Sequence, residues 1–454
     1  MSEPDHREPL AGWGNYHPLS CRIHHPASWE AVRRRVTSES SLIPRGLGRS
    51  YGDSAVNSEG VLDQTGLDRV LAFDREKGIL ECEGGLSLAA IIRLVQPQGW
   101  FLPTTPGTKF VTVGGAIAAD VHGKNHHHDG SFGDHVEHMD LMLASGEVVR
   151  CSPTERSDLF EATIGGMGLT GVIMSARFRL HPVKTAYYDV TYRRTQNLDE
   201  SLEVFEATDA DFRYSVAWID CLARGGRLGR SVVMTANDGQ PEQLTDRQKA
   251  SPLVTRPKPR VGVPFDAPGF ALNPLSVKAF NALYYAVNKS SRKMVDWDTF
   301  FYPLDSVRHW NRIYGRRGFV QFQALLPREC SRQGLIALLE RIAQERQASF
   351  LAILKTSGAR GRGWLSYLYP GHTLALDFPN FGPELKPFMD ELDQILLRFG
   401  GRLYLAKDAT TSPETFRAMY PELDRFRAFK AKVDPEGRFT SEQARRLGLV
   451  EAAG

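Results

Sequence analysis

Three glycine-rich segments in the first 171 residues constrain the fold of this chain more than any other feature. They are residues 46–53 (GLGRSYGD), 114–115 (GG) and 165–171 (GGMGLTG). Glycine leaves main-chain N–H groups open to a phosphate and tolerates positive φ, so the segments predict several backbone turns around one polyphosphate ligand. A dinucleotide cofactor is the ligand that this pattern favours.

The first segment departs from the Rossmann fingerprint of nicotinamide dinucleotides. That fingerprint needs Gly-x-Gly-x-x-Gly between a strand and a helix, and Tyr51 stands where the third glycine should be. Residues 53–60 are polar and turn-like, so no helix is expected to begin there. We therefore expect loop amides, rather than a helix dipole, to hold the phosphates.

The composition is typical of a globular protein with two or three domains. The 454 residues are 42% hydrophobic and 24% charged, and the formal net charge is only +3, with dispersed basic residues that argue against nucleic-acid binding. Five widely spaced cysteines without a Cys-x-x-Cys pair predict reduced thiols. Because no apolar signal segment or spanning window is present, we expect a cytoplasmic protein, with peripheral contact to the inner membrane left open.

Hydrophobic periodicity predicts an N-terminal α+β region followed by a second sheet. Residues 41–44, 78–83 and 172–180 read as strands, 139–151 as a hairpin, and 88–95 as a helix capped by Ser87. Aromatic-rich strands at 213–220 and 318–325 form the second sheet, with helices at 333–347 and 384–399 behind it. Residues 248–274 carry six prolines and predict an irregular excursion. Residues 402–407 predict a strand with Tyr404 and Lys407 on opposite faces.

Further motifs carry a resemblance to known proteins. The run 105–127 (TPGTKFVTVGGAIAADVHGKNHH), with the first and third glycine segments, resembles flavoproteins of the vanillyl-alcohol oxidase superfamily, which share a PCMH-type FAD-binding domain. The motifs FYPLD (301–305), WNR (310–312), QFQ (321–323), LDFP (376–379) and GGRLYLAKD (400–408) resemble the decaprenylphosphoryl-β-D-ribose 2′-oxidase family in particular. The resemblance spans nearly the whole chain.

The resemblance implies an α+β fold of two domains that binds FAD without a covalent link. Residues 1–183 would form the FAD-binding domain, 184–400 an inserted antiparallel-sheet substrate cap, and 401–454 a C-terminal segment that completes the FAD domain. The reaction implied is oxidation of the 2′-hydroxyl of a polyprenyl-phosphoryl ribose, a lipid, to a ketone. A separate short-chain reductase would then complete epimerisation to the arabinose donor of cell-wall synthesis.

Two alternatives to this function remain open. One is an FAD-dependent sugar-lactone or alditol oxidase that acts on a soluble sugar with the same cofactor domain. The other is a non-catalytic flavin-binding scaffold.

The resemblance also places three side chains at the reactive end of the cofactor. His122 would be a hydrogen-bonding group or base toward the substrate hydroxyl, and Lys407 would stabilise charge on the reduced flavin. Tyr51 either packs on the flavin or sugar or fills a core gap. Mycobacterial members have a cysteine beside the flavin where this chain has Ala375, so a catalytic thiol is not expected.

The remaining predicted site residues fall into a cofactor set and a substrate set. The predicted cofactor-binding residues are Arg45, Gly46, Leu47, Gly48, Arg49, Ser50, Tyr51, Gly52, Asp53, Thr108, Val111, Gly114, Gly115, Ala118, His122, Gly123, Asn125, Gly166, Gly168, Gly171, Val172, Ile173, Tyr404 and Lys407. The predicted substrate-binding residues are Lys124, Gln321, Gln323, Lys355 and Asp377.

Three local patterns remain. Gln321 and Gln323 lie two apart on a strand and so share a face, where their amides can hold a pentose phosphate. The histidine run 126–128 does not predict a metal site, because adjacent loop histidines point apart and no acid stands at ligand spacing. The Pro-rich excursion around residues 256–260 is the predicted approach to a membrane surface.

Overall fold

Two large antiparallel sheets organise the computed structural model, which describes residues 7–255, 261–268, 273–345 and 351–450. The strands are β1 (Arg7–Leu10), β2 (Leu19–His24), β3 (Ile43–Arg45), β4 (Val61–Asp63), β5 (Val70–Asp74), β6 (Ile79–Glu83), β7 (Trp100–Phe101), β8 (Val136–Met142), β9 (Val148–Cys151), β10 (Val172–Arg179), β11 (His181–Pro182), β12 (Tyr187–Thr195), β13 (Tyr214–Ile219), β14 (Ser231–Asp238), β15 (Val261–Gly262), β16 (Ser291–Asp296), β17 (Val307–Arg308), β18 (Phe319–Pro327), β19 (Ala352–Ser357), β20 (Gly371–Pro379) and β21 (Arg402–Leu403).

Short helices connect and cover these strands. They are α1 (Trp29–Ser38), α2 (Leu88–Val95), α3 (Val113–Ala118), α4 (His126–Asp129), α5 (Ser157–Thr163), α6 (Leu198–Thr208), α7 (Asp246–Lys249), α8 (Pro274–Val287), α9 (Trp297–Phe301), α10 (Ser331–Glu345), α11 (Leu385–Arg398), α12 (Pro413–Met419), α13 (Leu423–Val433) and α14 (Glu442–Arg446). None of the helices in the described ranges is long and apolar enough to cross a membrane.

The N-terminal region confirms the predicted short elements. Its larger sheet has the strand order β5-β6-β10-β8-β9, and β8 and β9 form the predicted hairpin. The predicted helix α2 begins after Ser87, whose hydroxyl accepts a hydrogen bond from Ala90 N at 3.2 Å. Its Leu88, Ile91 and Ile92 side chains are buried against the sheet, as the spacing requires.

The second sheet has eight strands in the order β16-β12-β14-β13-β19-β20-β18-β21. Its two predicted strands are β13 and β18, and α10 and α11 are the predicted helices that pack behind it. Helix α10 begins at Ser331, two residues before the prediction, and residues 346–347 of the predicted helix lie outside the described residues. The face of the sheet opposite to these helices carries the candidate site.

Two local predictions were wrong, and one helix, α8, was not predicted. Strand β21 ends at Leu403, and a turn follows in which Lys407 N donates to Tyr404 O at 2.8 Å, so the period-two argument about opposite faces does not apply. Gly114 and Gly115 lie in the first turn of α3 rather than in an open loop. The excursion ends in α8, which begins at Pro274 because proline is well suited to the first helical turn.

The C-terminal residues return to the N-terminal sheets. Leu42 N donates to Arg438 O at 2.8 Å, and the buried amide of Asn57 donates from Nδ2 to Thr440 O at 2.9 Å. All five cysteines are free thiols, as predicted. Residues 256–260, the predicted membrane approach, lie outside the described residues.

Candidate active site

The three glycine segments meet around strand β3. A Cβ on Gly46 would overlap the Thr112 hydroxyl that caps α3, and a Cβ on Gly168 would contact Pro44 at 3.1 Å. Gly165 N donates to Ile117 O at 3.0 Å, which fastens the third segment to α3. The predicted convergence of these segments is therefore present in the fold.

The first glycine segment offers main-chain N–H groups without protein acceptors. Within the described residues, the N–H groups of Leu47, Gly48, Arg49 and Ser50 donate no hydrogen bond, although Ser50 O accepts one from Trp13 N. No helix begins in residues 53–60, as predicted. Four consecutive free donors in a bent loop form the kind of concavity that binds a phosphate.

Arg49 adds a positive charge at the same loop. Its Nε donates to Phe110 O at 3.1 Å and its guanidinium stacks 3.9 Å from the centroid of the Trp13 ring. The Nη groups make no hydrogen bond to a described residue. Burial lowers the pKa of Arg49, which Asp305 partly opposes, but an arginine stays charged at neutral pH.

Four other predicted cofactor residues use their side chains within the protein. Arg45 donates to Ala11 O and Ala55 O, Asp53 accepts two hydrogen bonds from Arg446, and Thr108 donates to Asp305. Asn125 donates to Pro103 O at 2.7 Å and accepts from Thr104. These contacts shape the loops, so a ligand would meet their backbone more readily than their side chains.

The other predicted cofactor positions lie between the glycine loops and the core. Val111 O accepts from Leu88 N, while Gly115 and Ala118 stand at the accessible side of α3. Residues 166–173 are buried, with Val172 and Ile173 in the hydrophobic core. Gly123, which directly follows His122, is buried among Thr104, Thr105 and Asn125. Gly52 packs on the main chain at Asp408.

His122 is the centre of the reactive cluster. Its side chain is 6% exposed, and its Nε2 lies 2.9 Å from the amide nitrogen of Gln323. Because an amide nitrogen can only donate, His122 Nε2 is the acceptor and the proton of the neutral ring is on Nδ1. His122 Nδ1 is buried without a hydrogen-bond partner among the described residues. Such an orphaned donor in a polar cluster indicates a place for a ligand atom.

The environment of His122 keeps the ring uncharged. Burial lowers its pKa well below 6.5, and the charges of Lys355 and Lys407 lower it further. The rings of Tyr404 and Tyr367 pack against it, with centroids at 5.2 and 5.6 Å. A neutral imidazole at physiological pH is able to accept a proton.

Lys407 lies against Tyr51 in the same cluster. The Lys407 ammonium is 3.8 Å from the centroid of the Tyr51 ring, a cation–π contact. Burial lowers the pKa of Lys407 to about 7, and the nearby Asp377 carboxylate opposes that fall. The pKa of Tyr51 is raised well above 10, first by burial and then by Asp377, so the phenol is neutral.

Asp377 is fully buried beneath Lys407 and Tyr51. Gln321 donates from Nε2 to its Oδ1 at 2.5 Å, and the hydroxyl of Tyr314 donates to Oδ2 at 3.1 Å. Burial raises the pKa of Asp377 to about 7, even though these donors lower it. Gln321 and Gln323 therefore share the predicted face but have different partners, Asp377 and His122.

Two further lysines bring positive charge to the cluster. Lys124 lies over the Phe300 ring at 4.1 Å and donates to Phe300 O. Burial and the neighbouring Lys355 lower the pKa of Lys124 to about 7, and burial lowers the pKa of Lys355 to about 8. A bound phosphate would favour the charged form of both groups.

Sequence reasoning missed three side chains of this site. Tyr314 and Tyr367 come from irregular segments, and no periodic pattern distinguishes them. His126 was noted only as part of the histidine run, yet its Nδ1 accepts from Gly358 N at 2.9 Å. Its proton is then on Nε2, which is buried without a hydrogen-bond partner among the described residues. The ring centroids of His126 and His122 are 6.3 Å apart.

The histidines of the run have separate partners. His127 Nε2 contacts Phe212 O at 2.9 Å, and His128 pairs with Asp129. His135 Nε2 contacts Asp129 O, and His138 pairs with Glu81. The described part of the chain contains no group of three or more His, Cys, Asp or Glu that could hold a metal ion.

The comparisons with known proteins identify the family. Residues 23–152 match the FAD binding domain family, and residues 326–447 match the D-arabinono-1,4-lactone oxidase family. The chain is 37% identical over 450 residues to decaprenylphosphoryl-beta-D-ribose oxidase of Mycolicibacterium smegmatis, covering 97% of each chain. The protein belongs to the decaprenylphosphoryl-β-D-ribose oxidase family. It is also 24% identical over 403 residues to L-gulono-1,4-lactone dehydrogenase of Mycobacterium tuberculosis, covering 88% of this chain and 89% of that one.

Family membership confirms the resemblance, the α+β PCMH-type fold and the predicted class of enzyme. The protein is an FAD-dependent oxidoreductase. The free amides of residues 47–50, the guanidinium of Arg49 and the orphaned Nδ1 of His122 fit such a cofactor, since they offer donors to a pyrophosphate and to a polar ring. A non-catalytic scaffold would not need the reactive cluster.

Proposed function

We propose that this oxidase converts the 2′-hydroxyl of a polyprenyl-phosphoryl β-D-ribose to the 2′-keto sugar, the first half of epimerisation to an arabinose donor. The observation that carries the proposal is the match across 97% of both chains to the mycobacterial oxidase, whose name gives that substrate. A buried neutral base beside a cluster of lysines is the chemistry that such a phosphorylated sugar requires.

The cofactor and its binding residues follow from the site. FAD, when bound, takes the hydride that leaves the carbinol carbon. The amides of residues 47–50 and Arg49 would hold its pyrophosphate, with Gly115, Ala118 and the 166–171 loop around them. We propose that FAD is held without a covalent bond, so denaturation of the holoenzyme in acid should release the flavin into solution.

His122 is the proposed base. Its Nε2 carries the only lone pair of the neutral ring, which accepts a hydrogen bond from the Gln323 amide in the protein alone. The 2′-hydroxyl would replace that amide as the donor and give its proton to Nε2 as hydride leaves the carbon. The packed rings of Tyr404 and Tyr367 fix the plane of the imidazole and exclude water. His122 Nδ1–H remains available to a ligand oxygen.

Lys407 is the proposed electrostatic residue. Negative charge that develops in the cofactor during reduction would raise the lowered pKa of Lys407, and the resulting ammonium would stabilise that charge. Tyr51 supports the ammonium through its ring face. Asp377 accepts a hydrogen bond from Gln321, and its negative charge raises the pKa of the buried Lys407, which favours the ammonium form.

Lys124 and Lys355 are the proposed phosphate contacts. Both belong to the buried cluster, and each gains a full charge when an anion binds beside it. Gln323, and Gln321 with it, would orient the pentose between these lysines and His122. The substrate would thus be held at its phosphate while the hydroxyl meets the base.

The decisive experiment follows the flavin absorption of purified holoenzyme without oxygen, before and after addition of a polyprenyl-phosphoryl ribose. Bleaching of the flavin bands would support both the cofactor and the substrate. Lys407→Ala should keep the fold and lose most of the bleaching, whereas the control Lys386→Ala, an exposed lysine paired with Asp390, should bleach normally. Equal bleaching in both variants would contradict the role of Lys407.

The soluble-sugar alternative has one observation in its favour, the match of residues 326–447 to the D-arabinono-1,4-lactone oxidase family. Robust turnover of water-soluble lactones, with no bleaching by the lipid-linked ribose, would favour it. The 24% identity to the lactone dehydrogenase is lower than the 37% to the ribose oxidase, so we place it second.

We further propose the domain division and partners that this function requires. Residues 1–183 and 401–454 would together hold the cofactor around the cap 184–400, which the contacts of Asn57 and Asp53 with the C-terminal residues support. A short-chain reductase would use the keto product. Peripheral contact with the inner membrane from the cytoplasmic side would deliver the lipid.

A further inference from the structure

Helix α8 presents an apolar face to solvent. Leu275, Leu283 and Val287 are 79%, 63% and 64% exposed, and they lie on the side of the helix opposite to Val277 and Asn281, which are buried. The outward side also carries Ala279, Ala282 and Ala286. We call these six residues the outer face of α8.

The outer face belongs to a helix that is anchored to the cap sheet. Asn281 Nδ2 donates to the buried Asp220 Oδ1 at 2.8 Å, and the Tyr284 ring packs on Trp218 with centroids 4.6 Å apart. The hydroxyl of Tyr285 donates to Thr195 O at 3.1 Å. The inner side is thus fully used, and the outer face remains exposed in the folded protein.

Helix α8 lies on the same face of the eight-stranded sheet as the reactive cluster. Trp218 is in register with Ile353, Ile353 with Ala375, and Ala375 with Gln323, so these four side chains point to one side. Gln323 is the partner of His122. Three strand spacings separate Trp218 from Gln323, which is about 14 Å. The outer face therefore adjoins the region where the substrate sugar would bind.

The charge around α8 is positive. No Asp or Glu occurs from residue 267 to residue 295, while Lys278, Lys289 and Lys293 do; Arg292 is also present, but Asp189 pairs with it. Lys278 and Lys289 are exposed and form no ion pair with a described residue. In the described part of the preceding segment, Arg247 and Lys249 are also basic and exposed. A surface of this kind complements a negatively charged partner.

We propose that the outer face of α8 docks on a bilayer that contains anionic lipids. An exposed apolar helix face of about 21 Å, flanked by lysines, inserts at the boundary between head groups and acyl chains while the lysines contact lipid phosphates. The inference extends the proposed function, because a polyprenyl substrate in a bilayer would then enter along the sheet face that leads to His122. Membrane docking itself does not depend on which sugar is oxidised.

The test is co-sedimentation of the FAD-loaded enzyme with vesicles of phosphatidylcholine, with and without phosphatidylglycerol. We expect binding to the vesicles that contain phosphatidylglycerol. The double variant Leu275→Glu, Leu283→Glu should weaken it by at least about tenfold, since two leucine side chains would no longer enter the bilayer. The matched control is Val70→Glu, Leu71→Glu on β5, where the two side chains are 41% and 44% exposed, and it should bind as the wild type does.

Three results would overturn the proposal. They are absence of any preference for the anionic vesicles, equal loss of binding in the control, and light scattering that shows a dimer dissociated by the α8 variant, which would make a second copy the occupant. Flavin bleaching by detergent-dispersed substrate separates this test from the proposed function. The α8 variant should bleach normally in detergent, whereas absence of bleaching in the wild type would contradict the substrate and leave the vesicle result standing.

Discussion

Replacement of Arg446 by alanine should loosen both segments that form the candidate cofactor site. The Arg446 guanidinium donates to Asp53 at 2.7 and 3.1 Å, to Asp408 at 2.9 Å and to Thr411 O at 2.8 Å. Asp53 closes the first glycine loop, and Asp408 follows Lys407. One side chain of α14 therefore ties the loop that offers free amides to the turn that carries the lysine.

The expected cost follows from the burial of these groups. The Asp408 side chain is 2% exposed, and removal of its partner leaves a buried carboxylate unpaired, which costs about 3–5 kcal/mol. Because Arg446 and Asp53 are each about one quarter exposed, we expect the lower end, about 3 kcal/mol. For a cooperative unit of this size that corresponds to a midpoint lowered by about 6 °C.

Arg332→Ala is the matched control. Arg332 forms the same two-bond pair with Asp199, at 2.6 and 2.9 Å, but both side chains are about half exposed. Exposed pairs contribute about 0.2–1 kcal/mol, so its midpoint should fall by no more than about 2 °C. The measurement is thermal unfolding of the flavin-free proteins, together with FAD affinity by fluorescence quenching. Equal midpoints and equal FAD affinities for the two variants would refute the reasoning.

The pH dependence of the same contact has a definite sign. Burial alone would raise the pKa of Asp408, but Arg446 and the N–H groups of Thr411 and Thr410 outweigh it and lower the pKa. A depressed folded pKa adds stability above the unfolded value of about 4, and that stability is lost as the pH falls through the folded pKa. The difference between wild type and Arg446→Ala should therefore shrink in acid.

Three shorter predictions concern the glycine loop and the ionisable cluster. A Cβ at Gly52 would overlap the main-chain carbonyl of Asp408, so Gly52→Ala should weaken FAD binding. The control Gly107→Ala, whose Cβ would meet no atom within 4 Å, should bind FAD normally, and equal FAD titrations for the two variants would contradict this. Since the pKa of His122 in the free protein is well below 6.5, the acid limb of kcat/KM that this group causes should also lie well below pH 6.5. A limb near 6.5 that the His122→Ala variant lacks would exclude a buried neutral base. Because the pKa of Lys124 is about 7 and that of Lys355 about 8, the charged fraction of each falls by about tenfold or more from pH 7 to 9. Binding of the phosphorylated substrate should therefore weaken by at least about tenfold over this range, and a flat binding profile would argue against both contacts.

Local periodicity predicted most of the secondary structure that frames the site. Helix α2 and the β8–β9 hairpin follow from the spacing of their buried side chains. Strand β18 is buried on both faces from Phe319 to Leu326, so its apolar and aromatic content, rather than an alternation, predicts it. The shared face of Gln321 and Gln323 also follows from the period of a strand. Helix α8 was missed, because its outward side is apolar and its inner side is narrow, the reverse of the usual pattern.

The composition of the site was less predictable than its frame. Residue types and the family resemblance indicated His122, Lys407 and Asp377, but only the fold shows that Tyr314 donates to Asp377 or that Tyr367 packs on His122. Such contacts join segments that are far apart in the chain, and neither segment carries a periodic signal. The sequence also did not show that the side chains of Arg45 and Asp53 form hydrogen bonds within the protein. As a result, the backbone of their loop, rather than these side chains, faces a ligand.

A single chain reversal brings two side chains of one short segment into the reactive cluster. Tyr404 N donates to Gln323 O at 3.1 Å and so continues the sheet by one residue, after which its carbonyl accepts from Lys407 N. Had the strand continued, period two would have directed Lys407 away from the face that Tyr404 occupies. The turn instead brings the ammonium onto Tyr51 while the Tyr404 ring stays against His122. The ring that packs on the base and the cation are thereby fixed relative to each other by three residues of backbone, so a change in the length of this turn should disturb both contacts at once.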